Sequence, residues 1–299
     1  MQQQQLTPQQ TAIVIVFVIV IFGGIVGFAS YMAGRQNAEL HDIPLSKFRQ
    51  EHPTHLKVVG RAPQHGDSLE SPPAGAQYVQ FTSEAGKLGA WLIKPTGGGK
   101  HPAVLWAHGG FALGPQDLEV VRPFVNAGFV VMLPAWRGEN TNPGNFEMCY
   151  GEADDAVAAV KYLQLMKDVD PSNIFVAGHS VGATLALLVA ELTPGIKKAA
   201  ACGAYPNMRF GGGYDNPPFT DDRYEESSRS PGDHVRDLSC PALLIFGDSE
   251  SQYISQAQDM KQDAEKAGKQ VSIKTIPGTD HFKALPSAVP LMIEFFRTN

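Results

Sequence analysis

The hexapeptide Ala177-Gly178-His179-Ser180-Val181-Gly182 sets a serine between two glycines, directly after a short apolar run and directly before a stretch of good helix formers. In a strand–turn–helix setting, G-x-S-x-G is a nucleophile elbow, a cramped turn that holds a hydroxyl clear of the sheet edge. Residues 173–177 supply the strand and residues 183–190 the helix. Side chains at 178 and 182 would collide with the neighbouring strand and helix, so glycine is required at both. Ser180 is the candidate nucleophile. A serine hydroxyl attacks poorly until a base takes its proton, so a histidine must lie beyond a later strand with an acid to orient it. His281 fits that order, because it follows the apolar run 271–276 through the loop Pro277-Gly278-Thr279-Asp280. His234 sits in a loop rich in proline and charge and has no such placement.

The acid should leave the end of the preceding strand, where Phe246-Gly247-Asp248-Ser249-Glu250 offers two carboxylates. A carboxylate needs a long excursion to curl back to the histidine Nδ1, which mildly prefers Glu250 and leaves Asp248 as a turn former; both stay open. An oxyanion needs two donors. The backbone N–H of Val181 is one, and the loop His108-Gly109-Gly110-Phe111 offers the other at Gly110. His108, Phe111 and His179 flank these groups in the sequence and are read as substrate contacts.

These residues need a frame. Apolar runs at 103–107, 129–133, 174–177, 198–202, 242–246 and 271–276 alternate with helical stretches at 118–127, 151–166, 180–192, 252–267 and 285–297. Residues 78–82 and 88–93 form a hairpin ahead of them. Strands apolar on both faces, alternating with helices, predict an α/β fold with a mostly parallel sheet covered on each side. Residues 77–299 make one domain without internal repeats.

The chain of 299 residues carries a net charge of −6. No cluster of lysine and arginine appears, which excludes nucleic acid as a partner. Cys149, Cys202 and Cys240 are widely spaced and read as buried free thiols, and no Cys/His grouping has zinc-ligand spacing. Residues 12–33 contain no charged side chain. At about 1.5 Å per residue such a run reaches across a bilayer's hydrocarbon core, which predicts an uncleaved single-pass transmembrane helix after a polar tail at 1–11. Gly23-x-x-x-Gly27 inside it has the spacing for a homodimer through the span. Arg35, Lys47 and Arg49 follow the span, whereas no charge precedes it, which places the domain in the cytoplasm. Residues 34–76, punctuated by proline and glycine, read as a tether.

From about Gln77 to its end, the chain resembles the α/β-hydrolase superfamily, in particular the prolyl oligopeptidase catalytic domain and dienelactone hydrolase-like enzymes. The matching stretches are Ala107-His108-Gly109-Gly110, Pro134-Ala135-Trp136-Arg137-Gly138, residues 154–160, residues 169–174, the Ser180 elbow, residues 241–250 and residues 277–282. In that family the acid lies three residues past the glycine, which implies Glu250, with glutamate standing where the family usually has aspartate. Some relatives carry a tyrosine at the place of His108 that donates to the oxyanion; histidine here favours backbone Gly110. The resemblance implies an acyl-enzyme mechanism on a small ester or a short peptide, without metal or organic cofactor. Peptide-cleaving relatives carry a propeller that residues 1–76 could not form, which tilts the expectation toward an esterase. A non-catalytic binding protein on the same fold is the rival from another class, and its mark would be a lost triad member. Residues 204–239 lie where the superfamily inserts caps, and their Tyr205, Phe210, Tyr214 and Phe219 would line an acyl pocket.

Overall fold

Consecutive residues of the central strands bury on opposite sides of a single sheet. Val104 and Trp106 join one apolar layer and Leu105 and Ala107 the other; Val131 and Leu133 separate from Val130 and Met132 in the same way. Strands sealed on both faces cannot alternate apolar with polar, which is why they read as continuous apolar runs. The computed structural model describes residues 43–55, 66–110, 112–208 and 222–298. Its eight strands are β1 (Gln77–Ser83), β2 (Gly86–Ile93), β3 (His101–Ala107), β4 (Val130–Pro134), β5 (Val169–His179), β6 (Lys198–Cys202), β7 (Ala242–Gly247) and β8 (Val271–Ile276). They lie in the order β1-β2-β4-β3-β5-β6-β7-β8. The hairpin β1–β2 is antiparallel and β2 meets β4 antiparallel, while every pairing from β4 to β8 is parallel.

Helices α2 (Pro115–Asn126) and α7 (Leu285–Arg297) cover one face through Leu118, Val121, Phe124, Val289, Met292 and Phe296. Helices α3 (Gly151–Leu165), α4 (Val181–Leu192) and α6 (Ser251–Lys266) cover the other. Helix α2 starts earlier than its apolar period suggested. Pro115 stands in its first turn and the Asp117 carboxylate accepts the Gly114 N–H at 2.9 Å, a reciprocal start signal that periodicity does not register.

The stretch expected as a tether is partly built into the domain. Helix α1 (Leu45–Glu51) buries Leu45 and Phe48 completely, and Arg49 forks onto Asp154 with two 3.0 Å bonds. Composition misses α1 because proline and glycine surround a helix only two turns long. Its anchorage extends into residues 222–237, which hold the short helix α5 (Arg223–Ser227) and a 3₁₀ turn at Pro231–Asp237. Thr54 donates to Glu225 at 2.8 Å, and Phe48 packs on His234 with ring centroids 4.9 Å apart. Arg229 is fully buried. It pairs with Glu225 at 2.6 Å and donates to the carbonyls of Glu147 and Met148, the latter at 2.9 Å. Those bonds hold a loop in which Met148 and Cys149 adopt φ of 52° and 71°, a region that costs a side-chain-bearing residue energy.

The expectation of a single-pass membrane protein with a cytoplasmic domain is corrected. Among the described residues no helix is long and apolar enough to cross a membrane. The run at 12–33, with its Gly23 and Gly27, lies outside the described residues, so neither an anchor nor a dimer through it is carried forward.

If α1 is an integral part of the domain, Phe48→Ala should lower the unfolding free energy by about 3 kcal/mol or more, the usual cost of emptying a buried phenylalanine site. Urea denaturation measures this. An unchanged midpoint would return residues 44–55 to the status of a tether.

Candidate active site

The carboxyl ends of the parallel strands gather the sequence-predicted residues at one edge of the sheet, where sites in open α/β sheets form. Ser180 sits between β5 and α4 with φ 59° and ψ −127°, outside the ordinary regions for a side-chain-bearing residue. The turn closes because Gly178 and Gly182 lack side chains. A Cβ on Gly178 would lie 2.3 Å from the Gly182 carbonyl oxygen, and one on Gly182 would lie 2.1 Å from that of Ala107. The Ser180 N–H donates to the Cys202 carbonyl at 2.9 Å, which ties the elbow to the end of β6.

His281 follows β8 and sets its Nδ1 2.6 Å from Glu250 Oε1. A carboxylate only accepts, so Nδ1 carries a proton, and in the neutral ring Nε2 keeps its lone pair. The other oxygen of Glu250 accepts the Gly247 N–H at 2.8 Å, so the acid is fixed at both ends and its side chain is 5% exposed. Asp248 faces away from this pair. Its oxygens accept the N–H groups of Gly278 at 2.9 Å and Thr279 at 3.2 Å, which fold the loop that carries His281. The two carboxylates therefore divide the work: Glu250 touches the imidazole and Asp248 shapes its loop.

His179, expected at the substrate, is buried with Nε2 2.9 Å from the His281 carbonyl oxygen and its ring 4.8 Å from the His281 ring. Burial depresses its pKa, although the hydrogen bond to the His281 carbonyl acts in the opposite direction. A neutral ring whose Nε2–H meets a carbonyl is a brace for the histidine loop.

His108 needs the firmer correction. It is 1% exposed, its ring lies 5.6 Å from that of Trp136, and its Nε2 is 3.2 Å from Glu139 Oε2, so it has no surface to offer a substrate. That nitrogen has no aligned acceptor, which makes the contact with Glu139 one of charge. Burial alone would lower the His108 pKa; Glu139, with Asp117 behind it, overcomes that and raises it from 6.5 to about 9. The cationic ring thereby pins the loop that leads to Gly109 and Gly110. Gly110 lies beside Val181, whose Cγ2 would be 3.9 Å from a Cβ added there. Val181 opens α4, where the first N–H groups have no partner within the helix. Phe111 lies outside the described residues.

Sequence reasoning missed Gly203 and the reach of Tyr205. Gly203, at φ 65°, leaves the slot for the imidazole: a Cβ there would stand 2.7 Å from His281 Nδ1 and Cε1. A glycine at the end of an apolar strand was the available signal. The Tyr205 hydroxyl lies 3.3 Å from Ser180 Oγ. Phe210, Tyr214 and Phe219 of the expected cap lie outside the described residues. The three cysteines are free and buried; burial raises the thiols of Cys202 and Cys240 to about 12 and that of Cys149 further, so all three stay protonated. Among the described residues no group of three His, Cys, Asp or Glu could hold a metal.

The charge on His108 has a consequence for stability. A histidine raised from 6.5 to about 9 on folding contributes fully below pH 6.5, and the contribution is lost as pH climbs through about 9. Urea midpoints of the wild type should therefore fall relative to Glu139→Gln across that window. Parallel profiles would mean that His108 is neutral.

With this geometry in view, comparison with known proteins gives a consistent result. The dienelactone hydrolase family model matches residues 88–288. An uncharacterized protein of Mycobacterium tuberculosis is 36% identical over 122 residues, covering 41% of this chain and 43% of the relative. An uncharacterized peptidase of Bacillus subtilis is 26% identical over 204 residues, covering 60% and 76%. The chain thus spans less than half the length of the first of these. Among solved structures, a puromycin-hydrolyzing peptidase of Mycobacterium tuberculosis superposes with a TM-score of 0.61 at 19% identity, over 74% of this chain and 39% of that one. Dienelactone hydrolase from Anabaena variabilis superposes with a TM-score of 0.55 at 20% identity, over 74% and 97%. The fold is that of the α/β hydrolases, and the chain belongs to the dienelactone hydrolase family.

Proposed function

We propose that this protein is a serine hydrolase that cleaves small acyl esters through an acyl-enzyme intermediate. One observation carries the reading. The His281 Nδ1–Glu250 Oε1 contact of 2.6 Å, with the second Glu250 oxygen held by Gly247, leaves Nε2 to act as a base, and Tyr205 links this pair to the elbow, its hydroxyl 3.3 Å from Ser180 Oγ and its ring 6.0 Å from that of His281. In the first step Ser180 Oγ forms a bond to the acyl carbon, its proton passes to His281 Nε2, and the carbonyl π pair moves onto oxygen. Val181 and Gly110 N–H groups receive that oxyanion, aided by the positive end of α4. The bond to the leaving group then breaks as His281 returns the proton to it, and water repeats the sequence to free the acid. Glu250 orients the imidazole and stabilises the imidazolium.

Exposure supports a small, partly apolar substrate. Phe282 is 63% exposed, and its ring stands edge-on to His281 with centroids 5.1 Å apart. It offers an exposed apolar surface beside the imidazole. Amide cleavage is the second reading, favoured by the relatives that are peptidases.

Ser180→Ala should abolish both fluorophosphonate labelling and turnover; labelling retained at another serine would move the nucleophile. Glu250→Gln should lower kcat by about a hundredfold or more, as loss of an orienting acid does, while Asp248→Asn stays within a few-fold. The reverse ranking would transfer the acid to Asp248. For substrate class, kcat/KM across p-nitrophenyl esters from acetyl to palmitoyl should fall with chain length and exceed that for aminoacyl-p-nitroanilides. Anilides faster by a large factor would establish a peptidase.

A further inference from the structure

The end of β6 meets the triad at three successive points. The Cys202 carbonyl receives the Ser180 N–H, Gly203 vacates the space of the His281 ring, and Tyr205 brings a phenol to 3.3 Å from Ser180 Oγ. Tyr205 is 5% exposed and held on several sides. Its N–H donates to Thr184 Oγ1 at 2.9 Å, its ring meets that of Tyr253 edge-on at 4.8 Å, and it lies near-parallel to His281 at 6.0 Å. A phenol so fixed cannot swing away from the serine without breaking its packing.

We propose that Tyr205 is a catalytic residue that donates its phenol hydrogen bond to Ser180 Oγ. The inference rests on Ser180 being the nucleophile. A serine oxygen has one proton and two lone pairs; with one lone pair taken by Tyr205, the proton is directed to His281 Nε2 and the remaining pair to the acyl carbon. Tyr205 neither gains nor loses a proton in the cycle. Its bond is strongest when Oγ carries most negative charge, as the serine oxygen enters the tetrahedral intermediate and again as it leaves in deacylation. A donor that strengthens with developing charge lowers the barrier more than it aids substrate binding. Burial, with the nearby Tyr253 and Glu250 in support, pushes the phenol above its ordinary range and keeps it a donor, even though the bond to Ser180 acts in the opposite direction. The position lies outside the loop after β3 and the start of α4, which supply the oxyanion donors Gly110 and Val181, so the hydroxyl adds a third donor to the reacting atoms, placed on the nucleophile.

Tyr205→Phe in the full chain keeps the ring and removes the hydroxyl. The second-order rate of fluorophosphonate labelling and kcat on p-nitrophenyl acetate should both fall about tenfold, the effect of one hydrogen bond at the reacting oxygen, with KM and melting temperature unchanged. An unchanged labelling rate would overturn the proposal, as would a loss carried by KM alone, which marks a wall of the acyl pocket. Ser180→Ala, run beside it, separates the two levels. If that variant is silent and Tyr205→Phe labels at full rate, only the role of Tyr205 fails; if Ser180→Ala still labels, both readings fail.

Discussion

A serine held at φ 59° between a parallel strand and a helix is a strained residue, and the rest of the site is arranged around keeping it there. Such a conformation costs about 1–3 kcal/mol and persists only where the surroundings fix it. Here the fixing elements are steric and directional. Gly178 and Gly182 let β5, β3 and α4 approach to distances that any Cβ would forbid, and the Cys202 carbonyl captures the serine N–H. The hydroxyl is thereby set at the carboxyl edge of the sheet, beside the first free N–H of α4.

The second constraint is electrostatic and concerns histidines. Three of them surround the site, and burial with different partners gives each a different task. His281 binds a carboxylate through Nδ1 and keeps Nε2 free. His179 meets the His281 carbonyl and is held neutral by burial, so it braces the loop without competing for charge. His108 meets Glu139 and is pushed to about 9, so it works as a buried cation that anchors the loop after β3. A buried pair of this sort gives little net stability, because desolvation opposes the attraction, but it penalises any arrangement that separates the charges.

The same logic extends behind the site. Arg137 forks onto the fully buried Asp155, with bonds of 2.9 and 3.0 Å, and Ser83 donates to the same carboxylate at 2.6 Å. Arg229 gathers the backbone carbonyls of Glu147 and Met148, the α5 carboxylate and Thr54 into one network. Removing one member of such a network strands the others away from water, so α1, the loop after β4 and residues 222–230 hold their places together.

Much of this was legible in the chain. Apolar runs sealed on both faces predicted the parallel strands, and the order serine, acid, histidine along the sequence follows from local patterns of glycine, strand end and turn. The elbow is a local matter because its sterics involve residues within one turn of Ser180. Where the reading failed or stayed open, the deciding partner lay far away in the sequence. Nothing near His108 announces Glu139, and a histidine beside two glycines looks like a substrate contact until its ring is seen against Trp136. Glu250 and Asp248 differ only in where the three-residue connection between β7 and α6 sends them, and the Gly247 and Gly278 amides made that choice. Helix α1 was hidden by surrounding prolines, since two turns of helix carry too little periodicity to register and owe their stability to the pocket they fill. Sequence by itself thus determined the fold class and the serine elbow, because both rest on short-range sterics and strand burial. Tertiary structure decided which carboxylate meets His281, the surroundings of each histidine and the placing of Tyr205 on Ser180, because those depend on which groups share a desolvated volume.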